Sequence, residues 1–157
     1  MRDVIVAYDG SPEAQAAVRA AAELHPGRTL VVVSVWEPGL AEMMAAGRDE
    51  LTGLTYSAMT PEMIATVDRA ERDHASETAA AGATLARSLG ATAEPYAVPD
   101  ERDVAETIAT EAERRDASVV VVGSRGLGRM KSRLLGSTSQ GVLRRCERPV
   151  LVVRAPH

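Results

Sequence analysis

The sequence VVVVGSRGLGRMKSRLLGST, residues 119–138, joins an apolar run to a glycine-rich segment and then to the start of a helix. Four consecutive valines, Val119–Val122, are typical of a strand that is covered on both faces, as in a parallel sheet. Ser137 precedes Gln140 by three residues, a capping-box spacing that predicts Ser137 as the N-cap of a helix. The stretch therefore predicts a buried strand, a loop and a helix in succession.

Short apolar runs of the same kind recur along the chain and alternate with helical patterns. These further runs are Val4–Ala7, Leu30–Val35, Thr92–Val98 and Val150–Val153. The resulting order, βαβαβαβαβ, predicts an α/β fold with an open parallel five-stranded sheet and helices on both faces. Pro95 lacks a backbone N–H, which predicts that the third strand lies at an edge of the sheet.

The helices between these runs have recognisable ends. Ser11 before a proline and Asp103 three residues before a glutamate both predict N-caps, and Gly90 predicts the left-handed end of a long helix that opens at Thr60. Residues 38–60 have no clear period, which leaves open a partly helical flap over the sheet edge or a lid over a ligand. The helix residues predicted to face the core include Ala14, Ala17, Val18, Ala21, Leu24, Met63, Val67, Ala70, Ala81, Leu85, Leu89, Ile108, Ala112, Val142 and Leu143.

The composition bounds the class of protein. A chain of 157 residues predicts one domain, residues 1–157. Its 18 Lys and Arg against 22 Asp and Glu give a formal charge of −4, which argues against a nucleic-acid binder. No apolar run approaches the about 20 residues of a membrane span, and the single Cys146 excludes an internal disulfide. We therefore expect a soluble cytoplasmic protein that begins at Met1 and has neither a membrane nor a nucleic-acid partner.

The glycine-rich segment concentrates positive charge in a chain that is acidic overall, with Arg125, Arg129, Lys131 and Arg133. Glycines let a backbone approach a phosphate, and the first turn of a helix offers N–H donors to an anion, so the segment has the chemistry of a phosphate cradle. It is not a Walker loop, which needs Lys-Ser/Thr where Arg-Met stands, nor a dinucleotide fingerprint, whose third glycine is replaced by Lys131. The four cations fit phosphate contacts and a solvated surface equally well.

The spacing that the segment does match is Gly, two residues, Gly, nine residues and Gly-Ser, at Gly123, Gly126, Gly136 and Ser137. With this spacing the sequence resembles the ATP-binding members of the universal stress protein family. The likeness extends over the whole chain, through the Asp-Gly-Ser after the first strand, the Val-Trp-Glu-Pro after the second and the Arg-Pro before the last. It implies the strand order 3-2-1-4-5, a Rossmann-like fold similar to adenine nucleotide alpha hydrolases, and a homodimer formed through Val150–Val153.

A sheet of that order binds ligands where the strand order reverses, between its first and fourth strands. Asp9 and Gly123 leave these two strands, so both are expected at one crevice. From the resemblance we expect Asp9 to contact the ribose, Val35 the adenine, and the turn at Gly136 the outer phosphates. The residues expected to bind ATP are Ala7, Tyr8, Asp9, Val35, Val122, Gly123, Ser124, Arg125, Gly126, Gly136, Ser137 and Thr138.

The function that the resemblance implies is a nucleotide-dependent stress regulator rather than an efficient enzyme, because no positioned base with a metal clamp is recognisable. A slow ATPase in the same crevice and a ligand-free dimeric interaction module stay open as alternatives. ATP is the expected ligand, with ADP or AMP as alternatives, and Mg²⁺ would be held through the phosphates. No metal site is expected, since His25, His74 and His157 share no ligand spacing. Asp9 has a second interpretation, because Asp-Gly commonly starts a turn.

Overall fold

The computed structural model describes residues 2–39, 60–100, 102–124 and 135–155. Expectations for Arg125, Gly126 and residues 40–59 of the long connection lie outside these ranges. None of the described helices is long and apolar enough to cross a membrane. The strands are β1 (Val4–Ala7), β2 (Thr29–Trp36), β3 (Thr92–Pro99), β4 (Val119–Gly123) and β5 (Val150–Val153), and the described helices are α1 (Pro12–Leu24), α2 (Pro61–Ser88), α3 (Val104–Arg114) and α4 (Ser137–Arg145).

The five strands form one parallel sheet in the order β3-β2-β1-β4-β5, which confirms the predicted fold and strand order. β3 lies at an edge, as Pro95 predicted. Asp100, the residue after β3, donates its N–H to the Trp36 carbonyl at 2.7 Å. Because backbone groups alternate along a strand, Pro95 and Pro99 direct their nitrogens to the open edge. Their missing N–H groups therefore cost no hydrogen bond between strands.

Two apolar clusters cover the two faces of the sheet. α1 and α2 pack on one face, around buried strand residues such as Val6 and Val32. α3 and α4 pack on the other face, where Ile108 and Val142 belong to the same cluster as Val33. The predicted helices on both faces are therefore present. A ligand can reach the ends of the strands between the two helix layers.

The buried face of α2 differs from the predicted one. The buried residues are small, and Gly82 and Ala86 lie one position after the predicted Ala81 and Leu85. The prediction relied mainly on the larger side chains. A helix that packs this close to a sheet needs small residues at the contact. At Gly82 an added Cβ would lie 2.7 Å from Val32 Cγ1. The buried residues of α2 are Ala75, Ala79, Gly82, Ala83 and Ala86, whereas the predicted Met63, Ala70, Ala81 and Leu89 are exposed.

Two further predicted core residues are also at the surface. Leu24, the last residue of α1, is 58% exposed, and Leu143 is 45% exposed. Val142 already faces the sheet, and the next residue on a helix points about 100° away from it. The remaining predictions for α1 and α3 are confirmed, since Ala14, Ala17, Val18, Ala21, Ile108 and Ala112 are buried.

The helix caps follow the prediction at α1 and α3 but not at α4. Ser11 Oγ accepts a hydrogen bond from Ala14 N at 3.1 Å, and Asp103 caps α3 through Ala105 N at 2.8 Å. The prediction for α4 was wrong by one residue, because the cap is Gly136 and Ser137 is already helical. The Gly136 N–H donates to the Ser124 carbonyl at 2.8 Å, and this hydrogen bond ties residue 136 to the end of β4.

Candidate functional site

A cavity of about 510 Å³ lies at the carboxyl ends of β1, β2 and β4. The strand order reverses between β1 and β4, which is where open α/β sheets bind ligands. The volume falls within the range of about 300–1,000 Å³ that is usual for small-molecule sites. Its lining residues are Ala7, Tyr8, Asp9, Ala14, Val33, Ser34, Val35, Trp36, Glu37, Glu71, His74, Ala75, Thr78, Val104, Ile108, Val122, Gly123, Thr138 and Ser139.

The structure brings together most, but not all, of the residues that the sequence proposed for the site. Ser124 is buried and does not line the cavity, and its N–H donates to the Val153 carbonyl at 2.6 Å. Gly136 and Ser137 lie at the start of α4 but do not line the cavity. The predicted residues that do line it are Ala7, Tyr8, Asp9, Val35, Val122, Gly123 and Thr138.

Asp9 forms the turn that one interpretation of the sequence predicts, and it also lines the cavity. Its Oδ1 accepts a hydrogen bond from the Ser11 N–H at 3.0 Å, which forms the turn between β1 and α1. The same side chain lines the cavity at the switch point. The turn therefore positions the carboxylate at the mouth of the cavity, where it can accept hydrogen bonds from a ligand.

Tyr8 forms part of the cavity wall and is held by backbone and side-chain contacts. Its N–H donates to the Val33 carbonyl at 2.8 Å, and its own carbonyl accepts from Ser34 Oγ at 2.6 Å. Burial raises the pKa of the Tyr8 phenol, and the neighbouring Asp9 carboxylate raises it further. Tyr8 therefore stays neutral at physiological pH, as a hydrogen-bonding group beside Asp9.

The end of the cavity next to β4 is built from small residues and backbone; it is lined by Val122, Gly123, Thr138 and Ser139, and we call it the β4 end. Any side chain at Gly123 would collide with α1, since an added Cβ would lie 2.8 Å from the Glu13 carbonyl carbon. Ser139 Oγ donates to the Gly123 carbonyl at 2.6 Å and so joins α4 to β4. The cap residue of α4 is a glycine with no side-chain oxygen to offer, so the first turn lacks a side-chain cap. A helix start of this kind attracts anions.

One side of the cavity is apolar. Val35 and Val122, at the ends of β2 and β4, belong with Val104 and Ile108 of α3 to the same apolar cluster. All four line the cavity, so a flat ring could pack against them. The sequence predicted the two strand residues as part of the site but not the two residues of α3. It had placed Ile108 on the buried face of that helix, and only the packing of α3 across the ends of β2 and β4 brings this face to the cavity.

The opposite end of the cavity is lined by residues of α2. None of these residues was predicted for the site from the sequence. Glu71, His74 and Thr78 occupy positions i, i+3 and i+7, so they lie on one face of the helix. With Trp36 and Glu37 from the end of β2 they line what we call the α2 end. Their spacing is visible in the sequence, but it lies in a highly charged stretch of α2 for which no site residue is predicted.

Among the residues that the structure describes, no group of three or more His, Cys, Asp or Glu side chains could hold a metal ion. The carboxylates of the cavity are spread over its two ends instead, with Asp9 at the switch point and Glu37 and Glu71 at the α2 end.

Comparison with known proteins identifies the family. The sequence profile of the universal stress protein family matches residues 1–154. The chain belongs to this family. It is 31% identical over 156 residues to a universal stress protein of Thermus aquaticus, covering 98% of both chains. It is also 31% identical to the universal stress protein PHOS32 of Arabidopsis thaliana, of whose length it spans 65%.

Solved structures of universal stress proteins share the fold. The protein from Archaeoglobus fulgidus in complex with dAMP superposes with a TM-score of 0.64 at 22% identity, covering 98% of each chain. An Arabidopsis thaliana family member with AMP bound gives 0.60 at 17% identity, covering 99% and 93%. A complex of a universal stress protein with cAMP gives 0.61 at 22% identity, covering 99% and 98%. At these identities the likeness establishes the fold.

Proposed function

We propose that this universal stress protein binds ATP in the cavity and acts as a nucleotide-dependent regulator, with ADP or AMP as alternative ligands. The observation that carries the proposal is one cavity that joins Asp9, at the switch point of the sheet, to the first turn of α4. Family membership supports it, because relatives of the same fold have dAMP, AMP or cAMP in their solved structures.

In this proposal the nucleotide lies across the strand ends in the order of the sheet. The base packs beside β2 against Val35 and Ile108, the ribose hydroxyls donate to Asp9, and the phosphates reach the β4 end. There the first-turn N–H groups of α4 and the Thr138 hydroxyl act as donors to the anion. Gly136 contributes by leaving space at the helix start, since its own N–H is held by Ser124. Arg125 and Gly126 enter the proposal from the glycine spacing alone.

Mg²⁺ would accompany the triphosphate and take most of its ligands from phosphate and water oxygens, as this ion commonly does. The proposed role is regulation through nucleotide-dependent binding of partners rather than rapid turnover, in the reducing cytoplasm that a single cysteine suits. A slow ATPase remains the competing proposal. Sustained phosphate release that disappears in Asp9→Ala, with ATP affinity retained, would favour the enzyme.

Titration calorimetry with ATP and Mg²⁺ tests the proposed function. We expect saturable binding that is lost in Gly136→Val, because the added side chain obstructs the start of α4. The backbone of Gly136, with φ −60° and ψ 156°, suits any residue, so the variant is expected to fold. Ala80→Val, a similar enlargement at an exposed position on α2, serves as the matched control and should bind normally. Absence of ATP binding by the wild type would refute the proposal and favour a ligand-free interaction module.

We further propose that two copies pair through β5. Val120 of β4 donates to the Pro149 carbonyl, and Ser124, the residue after β4, donates to the Val153 carbonyl. The alternate residue Val152 therefore directs its backbone groups to the open edge. All four side chains of β5 are only half-buried in one chain. Sedimentation equilibrium should give the mass of two chains, and Val152→Pro should reduce it to one. Ala97→Pro, which removes an outward N–H from β3 at the other edge, should leave the mass unchanged; a monomeric wild type would contradict the pairing.

A further inference from the structure

The α2 end of the cavity contains a carboxylate that the nucleotide assignment has not used. Glu71 is half-buried on α2 and lines the cavity. Most other half-buried or buried carboxylates of the described chain are engaged; Glu111 pairs with Arg114 at 2.6 Å and Glu113 with Arg148 at 2.8 Å. Glu71, in contrast, has no hydrogen bond or ion pair with any residue in the described ranges. A half-buried carboxylate that lines a cavity and has no partner among the described residues is available to a ligand.

The position of α2 decides which part of a nucleotide Glu71 can reach, and this step rests on the proposed function. The strand order places β4 on one side of β1 and β2 on the other, and α2 packs against β2 and β3. With phosphates at the β4 end and ribose at Asp9, the base extends towards the α2 end. The edge of a purine farthest from the sugar, which carries position 6, then faces α2.

We propose that the Glu71 carboxylate recognises adenine by accepting a hydrogen bond from its 6-amino group. A carboxylate is an acceptor only, so it requires a donor on the ligand, and the 6-amino group is the donor at that edge of adenine. Guanine has a carbonyl oxygen at position 6 and offers N1–H and its 2-amino group instead, so a carboxylate placed to meet position 6 loses this contact with guanine. The apolar side chains of Val35, Val104 and Ile108 contact the faces of any purine and do not distinguish one from another.

Neighbouring groups leave Glu71 as the best placed of the α2-end carboxylates. Glu37 also lines the cavity, but it follows the end of β2 and is exposed to solvent, where water competes for its oxygens. His74, one turn along α2, is exposed as well, and Thr78 lies a further turn along the helix. A hydrogen bond to a charged group is stronger where water is partly excluded, which favours the half-buried Glu71 over Glu37.

A two-by-two binding experiment tests this assignment. ATP and purine riboside triphosphate, which lacks only the 6-amino group, are titrated into the wild type and Glu71→Ala. We expect the wild type to bind ATP about tenfold more tightly than the deamino analogue, as one charge-assisted hydrogen bond allows. In Glu71→Ala the two ligands should bind with affinities within about twofold of each other, and the affinity for the analogue should stay at its wild-type value. A purely structural role for Glu71 would lower both affinities instead.

Glu77→Ala is the matched control, because Glu77 is an exposed glutamate on α2 that does not line the cavity, and it should retain the wild-type preference. Equal affinities of the wild type for ATP and the analogue, an unchanged preference in Glu71→Ala, or tighter binding of GTP than ATP would each overturn the assignment while leaving nucleotide binding intact. Failure of the wild type to bind any of the three triphosphates would overturn the proposed function together with it.

Discussion

The two ends of the cavity differ in what builds them. At the β4 end the wall is backbone and small residues: Gly123 lies against α1, and Ser139 joins α4 to β4. At the α2 end the wall is formed by longer side chains, among them Glu71 and His74, that project from a helix packed on the sheet through small residues. Steric fit therefore governs the β4 end and hydrogen-bonding chemistry governs the α2 end. Adding atoms should damage the first, and changing polar groups should retune the second.

The largest effect is expected for Gly123→Ala. Its Cβ would lie 2.8 Å from the Glu13 carbonyl carbon and 2.9 Å from the Glu13 oxygen, and rigid backbone cannot move aside as a side chain can. We expect the free energy of unfolding in urea to fall by about 1–3 kcal/mol, as for other overpacked sites, together with a loss of ATP affinity. Gly136→Ala is the control for the free energy of unfolding alone, because its φ of −60° accommodates a Cβ. A Gly123→Ala protein as stable as the wild type would show that the β4 end is not sterically tight.

A smaller effect is expected for Gly82→Ala, which places a methyl group between α2 and the sheet and so shifts the helix that carries the α2 end. The added Cβ would lie 2.7 Å from Val32 Cγ1 and 2.9 Å from the Tyr8 ring, so α2 must move outwards. Overpacking costs about 1–3 kcal/mol, and the better helix propensity of alanine returns about 1 kcal/mol. Urea denaturation should therefore show a net loss, and the preference for ATP over its deamino analogue should narrow as Glu71 shifts. A higher free energy of unfolding than that of the wild type would show that α2 and the sheet accommodate the added methyl group without strain.

The smallest effect is expected for Thr138→Val at the β4 end, which removes one hydroxyl while keeping the shape of the side chain. If this hydroxyl donates to an outer phosphate, ATP affinity should fall by about threefold to tenfold, the usual effect of one hydrogen bond. AMP, whose single phosphate lies nearer the ribose, should bind within about twofold of its wild-type affinity. Calorimetry with both nucleotides makes the comparison, with Thr110→Val, at an exposed threonine of α3 outside the cavity, as control. Equal losses for ATP and AMP would place the hydroxyl nearer the sugar.

Much of the β4 end could be predicted from sequence because its features are local. Gly123 directly follows a buried valine run, and a helix begins further along the chain at residue 137. The cap was still wrong by one residue, since the hydrogen bond from Gly136 to Ser124 closes a contact between residues 12 positions apart. Local propensity cannot distinguish a serine that caps a helix from a serine that begins one when such a contact decides the boundary.

The α2 end could not be predicted, because no local pattern relates Glu71 to Asp9. Both residues line one cavity because α2 packs on β2, and the large side chains of α2 predict a different buried face from the one observed. Ala75, Ala79 and Gly82 are the buried residues of this part of the helix, and small residues carry little hydrophobic periodicity. Once they face the sheet, the 3.6-residue period carries Glu71 and His74 to the cavity.

Residues adjacent in the chain are enough to predict the strands, their alternation with helices, the edge position of β3 and the location of Asp9 and Gly123 at strand ends. The packing of the layers, in contrast, selects the side chains of α2 and α3 that complete the cavity. Helices pack by the shape of their contact faces, and that shape depends on the facing strands as much as on the helix itself. The α2 end, and with it the proposed hydrogen bond between the base and Glu71, therefore forms only when the helices pack on the sheet.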